Sequence, residues 1–103
     1  MEMAKYSVLM SVYYKENPEY LRQSMESILN QTISTDDFVL VCDGPLGENL
    51  DSVIKDMKKE FGSVLNVVRL PENVGLGNAL NEGIKICKNE LVARMDSDDG
   101  NKE

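Results

Sequence analysis

Four short apolar runs, separated by stretches of helical spacing, constrain this chain more than any other feature. The runs are "YSVLMSV" (Tyr6 to Val12), "FVLVC" (Phe38 to Cys42), "LNVVRL" (Leu65 to Leu70) and "LVARM" (Leu91 to Met95). Each is too short for a helix and carries apolar residues at consecutive positions, the pattern of a strand buried on both faces. Between the first two runs, Asn17 and Pro18 supply a cap and a preferred first helical residue, and Leu21, Met25, Ile28 and Leu29 follow at helical intervals. Leu50, Val53, Ile54, Met57 and Phe61 form a second helical face closed by Gly62. Leu76, Leu80, Ile84 and Cys87 mark one face of a third helix, loosened by Gly77 and Gly83. The order β-α-β-α-β-α-β with short connections predicts an α/β fold, a mostly parallel sheet with helices on both faces.

A chain of 103 residues is at most one compact domain. Its 42% hydrophobic and 28% charged content is that of a globular protein without repeats or low-complexity tracts. Eighteen acids against eleven bases give a net charge of −7. That sign is wrong for neutralising a nucleic-acid backbone, and phosphate binding by such a chain calls for a mediating cation. No run reaches the roughly 20 apolar residues of a transmembrane helix. The N-terminal "MEMAKYSVLMSVYY" carries an acid and no small-residue cleavage site, so a cytoplasmic chain is expected. Cys42 and Cys87 have no metal-type spacing and sit in apolar contexts, which reads as buried thiols, with a disulfide between them the alternative.

In parallel α/β sheets, ligands bind beyond the C-terminal strand ends, where the strand order reverses. Three polar clusters fall at such ends: Tyr13 to Asn17, Asp43, and Asp96 to Asp99. On a continuing strand Asp96 and Asp98 project to one side; if the chain turns at Ser97, Asp98 and Asp99 become the pair. Their all-oxygen donor set suits a hard cation, Mg²⁺ or Mn²⁺, which completes its shell with water and substrate phosphates. A solvated loop has the same composition, but its place directly after a buried strand favours a site. An EF-hand fails, because Gly100 falls fifth from Asp96 rather than sixth. "VGLGNALNEG" fails as a dinucleotide fingerprint, because Leu80 stands at the third glycine position. Tyr13 and Tyr14 can stack on a base, although tyrosines at a strand end are commonly edge-of-core residues.

Together, "SVLMSVYYKENPEYLRQSMESILNQT", "VLVCDGP", "RLPENVGLGNALNEGI" and "LVARMDSDD" resemble, in order, the nucleotide-sugar-binding half of a family 2 glycosyltransferase with the GT-A fold. The resemblance covers almost the whole chain and implies a Rossmann-like half-domain over residues 1–103, ending just after the DxD motif. It implies that Ser11, Val12, Tyr13 and Tyr14 form the loop beneath base and ribose, with Glu16 a polar contact. Asp43 matches the acid that recognises the base, usually uracil. Asn73 and Gly75 match an Asn-x-Gly, and Asn81 a later asparagine, which shape the pocket. Asp96 and Asp98 match the DxD that holds metal and diphosphate, with Asp99 an alternative ligand. Ser11 and Tyr14 stand where the family commonly has a proline and an asparagine.

The implied activity is inverting, metal-dependent sugar transfer from a nucleotide sugar, a UDP-sugar by preference, to a hydroxyl acceptor in polysaccharide or glycoconjugate synthesis. The general base lies beyond this chain, so the isolated chain is expected to bind donor without turnover, and no catalytic residue is assigned within it. The parent protein is expected in the cytoplasm, at the inner face of the membrane. Two rivals stand beside this reading. A phosphoacceptor receiver requires an acid pair after its first strand, where this chain has tyrosines. A structural fragment would instead self-associate through its exposed sheet edge.

Overall fold

The computed structural model describes residues 5–30 and 35–96. Its elements are β1 (Tyr6–Val12), α1 (Pro18–Leu29), β2 (Asp37–Cys42), α2 (Glu48–Phe61), a 3₁₀ turn (Gly62–Val64), β3 (Leu65–Arg69), α3 (Leu76–Ile86) and β4 (Leu91–Asp96). They run in the predicted order, with strand ends shifted by a residue at β2, β3 and β4. Asn17 caps α1 as its sequence implies. Its Oδ1 accepts from the backbone N–H of Glu19 at 2.8 Å and of Tyr20 at 3.2 Å, closing donors that the first helical turn leaves open.

The four strands form one parallel sheet in the order β3-β2-β1-β4. Two steps in one direction, β1 to β2 to β3, put their crossover helices α1 and α2 on one face. The return from β3 to β4 runs the other way, and right-handed crossover then requires α3 on the opposite face. The core divides accordingly. Val8, Met10 and Val12 of β1 and Phe38, Leu40 and Cys42 of β2 meet Leu21, Met25 and Ile28 of α1 and Leu50, Ile54 and Met57 of α2. The Phe38 and Phe61 rings pack edge to face, centroids 5.1 Å apart. Leu9, Val39 and Val41 point the other way, toward Ala79 and Leu80 of α3. Burial on both faces is why the strands read as unbroken apolar runs. The side chain of Leu29 lies outside the described residues.

One expectation changes here. Of the expected face of the third helix, Leu80 and Cys87 pack toward the sheet, but Leu76 and Ile84 do not, and Ala79 and Gly83 take their place. Leu76 is 57% exposed and Ile84 48%. Gly83 sits so close that a Cβ there would overlap the side chains of Leu9 and Val41. The small residues set the approach of α3, which the spacing of large apolar residues does not reveal.

At the N-terminal strand ends a polar network joins all four strand segments. Asp37, 2% exposed, accepts from Ser7 Oγ at 2.7 Å, Asn66 Nδ2 at 2.9 Å and the Lys88 backbone N–H at 2.8 Å. Ser7 Oγ in turn accepts from the Asn89 N–H at 3.2 Å. Beside it, the Asn89 side-chain amide, together with the Lys88 and Lys5 charges, holds the half-buried Asp36 carboxyl below its ordinary value. The outer edge of β4 carries no strand partner among the described residues.

Candidate functional site

The strand order reverses between β1 and β4, so the C-terminal ends of these two neighbours open the crevice where ligands bind in such sheets. Ser11 and Asp96 are register partners across it. Val12 is buried, and its carbonyl accepts the Asp43 N–H at 2.8 Å. Beyond it the chain turns, Glu16 N–H donating to the Tyr13 carbonyl at 3.0 Å. Tyr13 and Tyr14 are 43% and 56% exposed, packed edge to face at 5.8 Å, with Lys15 Nζ 5.9 Å from the Tyr14 ring centroid. Two large aromatic surfaces thus face solvent directly beside the switch point.

Asp43, first after β2, is only 5% exposed. Its Oδ1 accepts from the Val74 N–H at 2.7 Å and its Oδ2 from the Gly75 N–H at 3.1 Å. Asn73 Nδ2 donates back to the Asp43 carbonyl at 3.2 Å. Gly75 is the N-cap of α3, so the Asp43 carboxylate lies next to the positive end of that helix, bonded to the two N–H groups just before its first residue. Of the expected site residues, the structure therefore brings Ser11 beside Asp96, and Asp43 against Asn73 and Gly75. Tyr13 and Glu16 lie in the loop after β1. Asn81 is exposed on α3.

The side chain of Asp96, and Asp98 and Asp99 altogether, lie outside the described residues. Among the described residues no cluster of His, Cys, Asp or Glu could hold a metal ion. The chain has no histidine. Burial pushes the Cys42 thiol up to about 11 and also raises Cys87, so neither offers a thiolate near neutral pH. Any metal at the switch point would therefore meet carboxylate oxygens, a donor set that fits Mg²⁺ or Mn²⁺. Arg69, which ends β3 opposite Cys42, is turned to Asp51 of α2 at 2.8 Å. The contacts sequence reasoning missed are the backbone N–H groups of Val74 and Gly75, which accompany Asp43 across 31 and 32 positions. The Asp-Gly pair at a strand end was the only local signal.

A doubly wound parallel sheet with polar loops beyond its C-terminal strand ends is an α/β architecture of the kind whose ligands bind at that end. Comparison with known proteins is specific. Residues 7–102 match the family described as Glycosyl transferase family 2. The chain is similar to an uncharacterized glycosyltransferase of Haemophilus influenzae, 47% identical over 92% of this chain and 35% of the relative. It is also similar to the amylovoran biosynthesis glycosyltransferase AmsE of Erwinia amylovora, 47% identical over 91% of the chain and 35% of that protein. A third relative is the UDP-Gal:alpha-D-GlcNAc-diphosphoundecaprenol beta-1,3-galactosyltransferase of Escherichia coli, 39% identical over 95% of the chain and 35% of the enzyme. The chain thus spans 35% of the length of each of these relatives. Its fold is that of a mannosyltransferase from Pyrobaculum calidifontis solved with GDP-Man and Mn²⁺, with a TM-score of 0.79 at 20% identity, over 91% of this chain and 27% of that one. The chain belongs to glycosyl transferase family 2, with the GT-A type of fold.

Proposed function

We propose that this chain is the donor-binding part of an inverting, metal-dependent glycosyltransferase that takes a UDP-sugar. The observation that carries the reading is the switch point, where Ser11 and Asp96 are register partners and Tyr13 and Tyr14 present exposed rings beside them. In this reading Ser11, Val12, Tyr13 and Glu16 line the base and ribose, Asp43, Asn73 and Gly75 form the neighbouring wall, and Asp96 with Asp98 or Asp99 holds the divalent cation. That cation would neutralise the diphosphate of the departing nucleotide. The tyrosine rings give a flat apolar surface for the base. The acceptor site and general base are assigned to the two-thirds of the relatives' length that this chain does not span. The Escherichia coli relative's name carries UDP-Gal and a diphosphoundecaprenol acceptor, which supports a UDP-sugar donor and work at the inner face of a membrane. No helix among the described residues is long and apolar enough to cross one.

Calorimetric titration of UDP with and without Mn²⁺ tests this. Binding is expected only with the cation, and Asp98→Ala is expected to weaken it tenfold or more, about 1.4 kcal/mol. Binding indifferent to both the cation and the substitution would sink the metal site. A second reading, self-association, is favoured by the outer edge of β4, which has no strand partner among the described residues, and by Leu91 on that strand, 56% exposed. Sedimentation velocity is expected to show concentration-dependent dimers of a second copy paired at β4; a monomer at every concentration removes that reading.

A further inference from the structure

The two exposed rings at the switch point are not equivalent. Successive residues of a strand point to opposite sides, so Tyr13 and Tyr14 would not touch if β1 simply continued. The chain instead turns after Val12, where the Glu16 N–H donates to the Tyr13 carbonyl at 3.0 Å, and the turn folds the two rings together. Their centroids are 5.8 Å apart and their planes 78° from parallel, an edge-to-face pair of ordinary spacing. Lys15 Nζ stands over the Tyr14 ring, 5.9 Å from its centroid, within reach of a cation–π contact. Tyr14 is thus held between two neighbours. Tyr13 meets only one of them, and whichever ring gives its edge, at least one Tyr13 face is clear of Tyr14.

We propose that Tyr14 is a positioning residue, which holds the Tyr13 ring at the angle where its open face meets the nucleobase and does not itself touch the ligand. The proposal rests on the donor reading for the ligand and on the ring pair for the geometry. The backbone at Tyr13 is fixed on both sides, because the carbonyl of buried Val12 accepts the Asp43 N–H at 2.8 Å and the Tyr13 carbonyl closes the turn. Its side chain has no such anchor. Tyr13 is 43% exposed and belongs to neither core cluster, so core packing does not set its rotamer. The contact with Tyr14 supplies that restraint. A ring ordered before the ligand arrives avoids the entropy loss of ordering it at binding, an effect of a few-fold in affinity for one side chain.

Two measurements on the whole chain test this. In NOESY spectra without ligand, cross-peaks between the Tyr13 and Tyr14 ring protons are expected, and the χ1 couplings of Tyr13 are expected to report one rotamer. Tyr14→Phe is expected to keep that rotamer and Tyr14→Ala to average it. In titrations of UDP with Mn²⁺ present, Tyr14→Ala is expected to weaken binding about fivefold, and Tyr14→Phe by less than about twofold. In a Tyr13→Ala background the same Tyr14→Ala change is expected to cost less than about twofold, because the ring it positions is gone. Absent ring cross-peaks, or a Tyr13 rotamer indifferent to Tyr14→Ala, would overturn the pair. Losses that multiply in the double variant, or a Tyr14→Phe loss as large as that of Tyr14→Ala, would overturn the positioning role and set Tyr14 against the ligand. If the unsubstituted chain binds no UDP, the donor reading fails, while the ligand-free spectra still decide whether Tyr14 orders Tyr13.

Discussion

Asp37→Ala is expected to destabilise the protein by about 3 kcal/mol or more, a large part of the 5–15 kcal/mol that holds a typical domain together. The carboxylate accepts from a hydroxyl, a side-chain amide and a backbone N–H at 2.7 to 2.9 Å, and charged bonds of this kind contribute about 1.5–3 kcal/mol each before they are shared within a network. Alanine removes all three at once and leaves Ser7, which is fully buried, without its acceptor. Asp37→Asn retains one acceptor oxygen and is expected to cost roughly half as much. The urea midpoint measures both. An Asp37→Ala midpoint within experimental error of the original would show that the network adds nothing to stability. Because the network lies at the strand ends opposite the crevice, the folded fraction of the variant is expected to bind UDP with unchanged affinity.

Gly44→Ala is expected to cost about 2–3 kcal/mol and to weaken nucleotide binding as well. Gly44 has φ +89°, and the atoms a Cβ would meet, Asn73 N at 2.8 Å and Glu72 C at 3.1 Å, are backbone atoms that no rotamer change can move aside. Gly47 supplies the internal comparison. Its φ is +101°, but nothing lies within 4 Å of the added atom, so Gly47→Ala carries only the conformational penalty of about 1–2 kcal/mol. Urea denaturation of the two variants separates backbone strain from loop contact. Equal losses would show that the β2 and β3 loops are not pressed together as described.

The strands and helices were legible because each is encoded locally. Tyr6–Val12 begins and ends where its apolar run does, and Asn17–Pro18 marks the start of α1. What could not be read is what depends on closeness between distant residues. Leu76 and Ile84 look like core at helical spacing, yet the contact face of α3 is chosen by Gly83 meeting Leu9 and Val41. Asp37 looks like a loop residue before β2, and only the arrival of Asn66 and Lys88 makes it part of the interior. Asp43 stood out as a candidate from its place after a strand. Its bonds to Val74 and Gly75 were not legible, since nothing in "CDGP" indicates which loop will stand opposite. The acids at Asp98 and Asp99 rest on sequence alone.

The strand order has a consequence for the timing of folding. β1 is an inner strand, yet its two neighbours are made far apart in time: β2 follows closely, whereas the β4 side closes only with contacts such as Ser7 to Asn89, 82 positions apart. At roughly 5–20 residues per second of synthesis, β1 waits several seconds with one edge bare. Within this sheet, the Ser11–Asp96 pair is thus formed only after the β1–β2 pair. A nascent chain can collapse around α1 and α2 long before the β1–β4 seam, where the donor is proposed to bind, has closed.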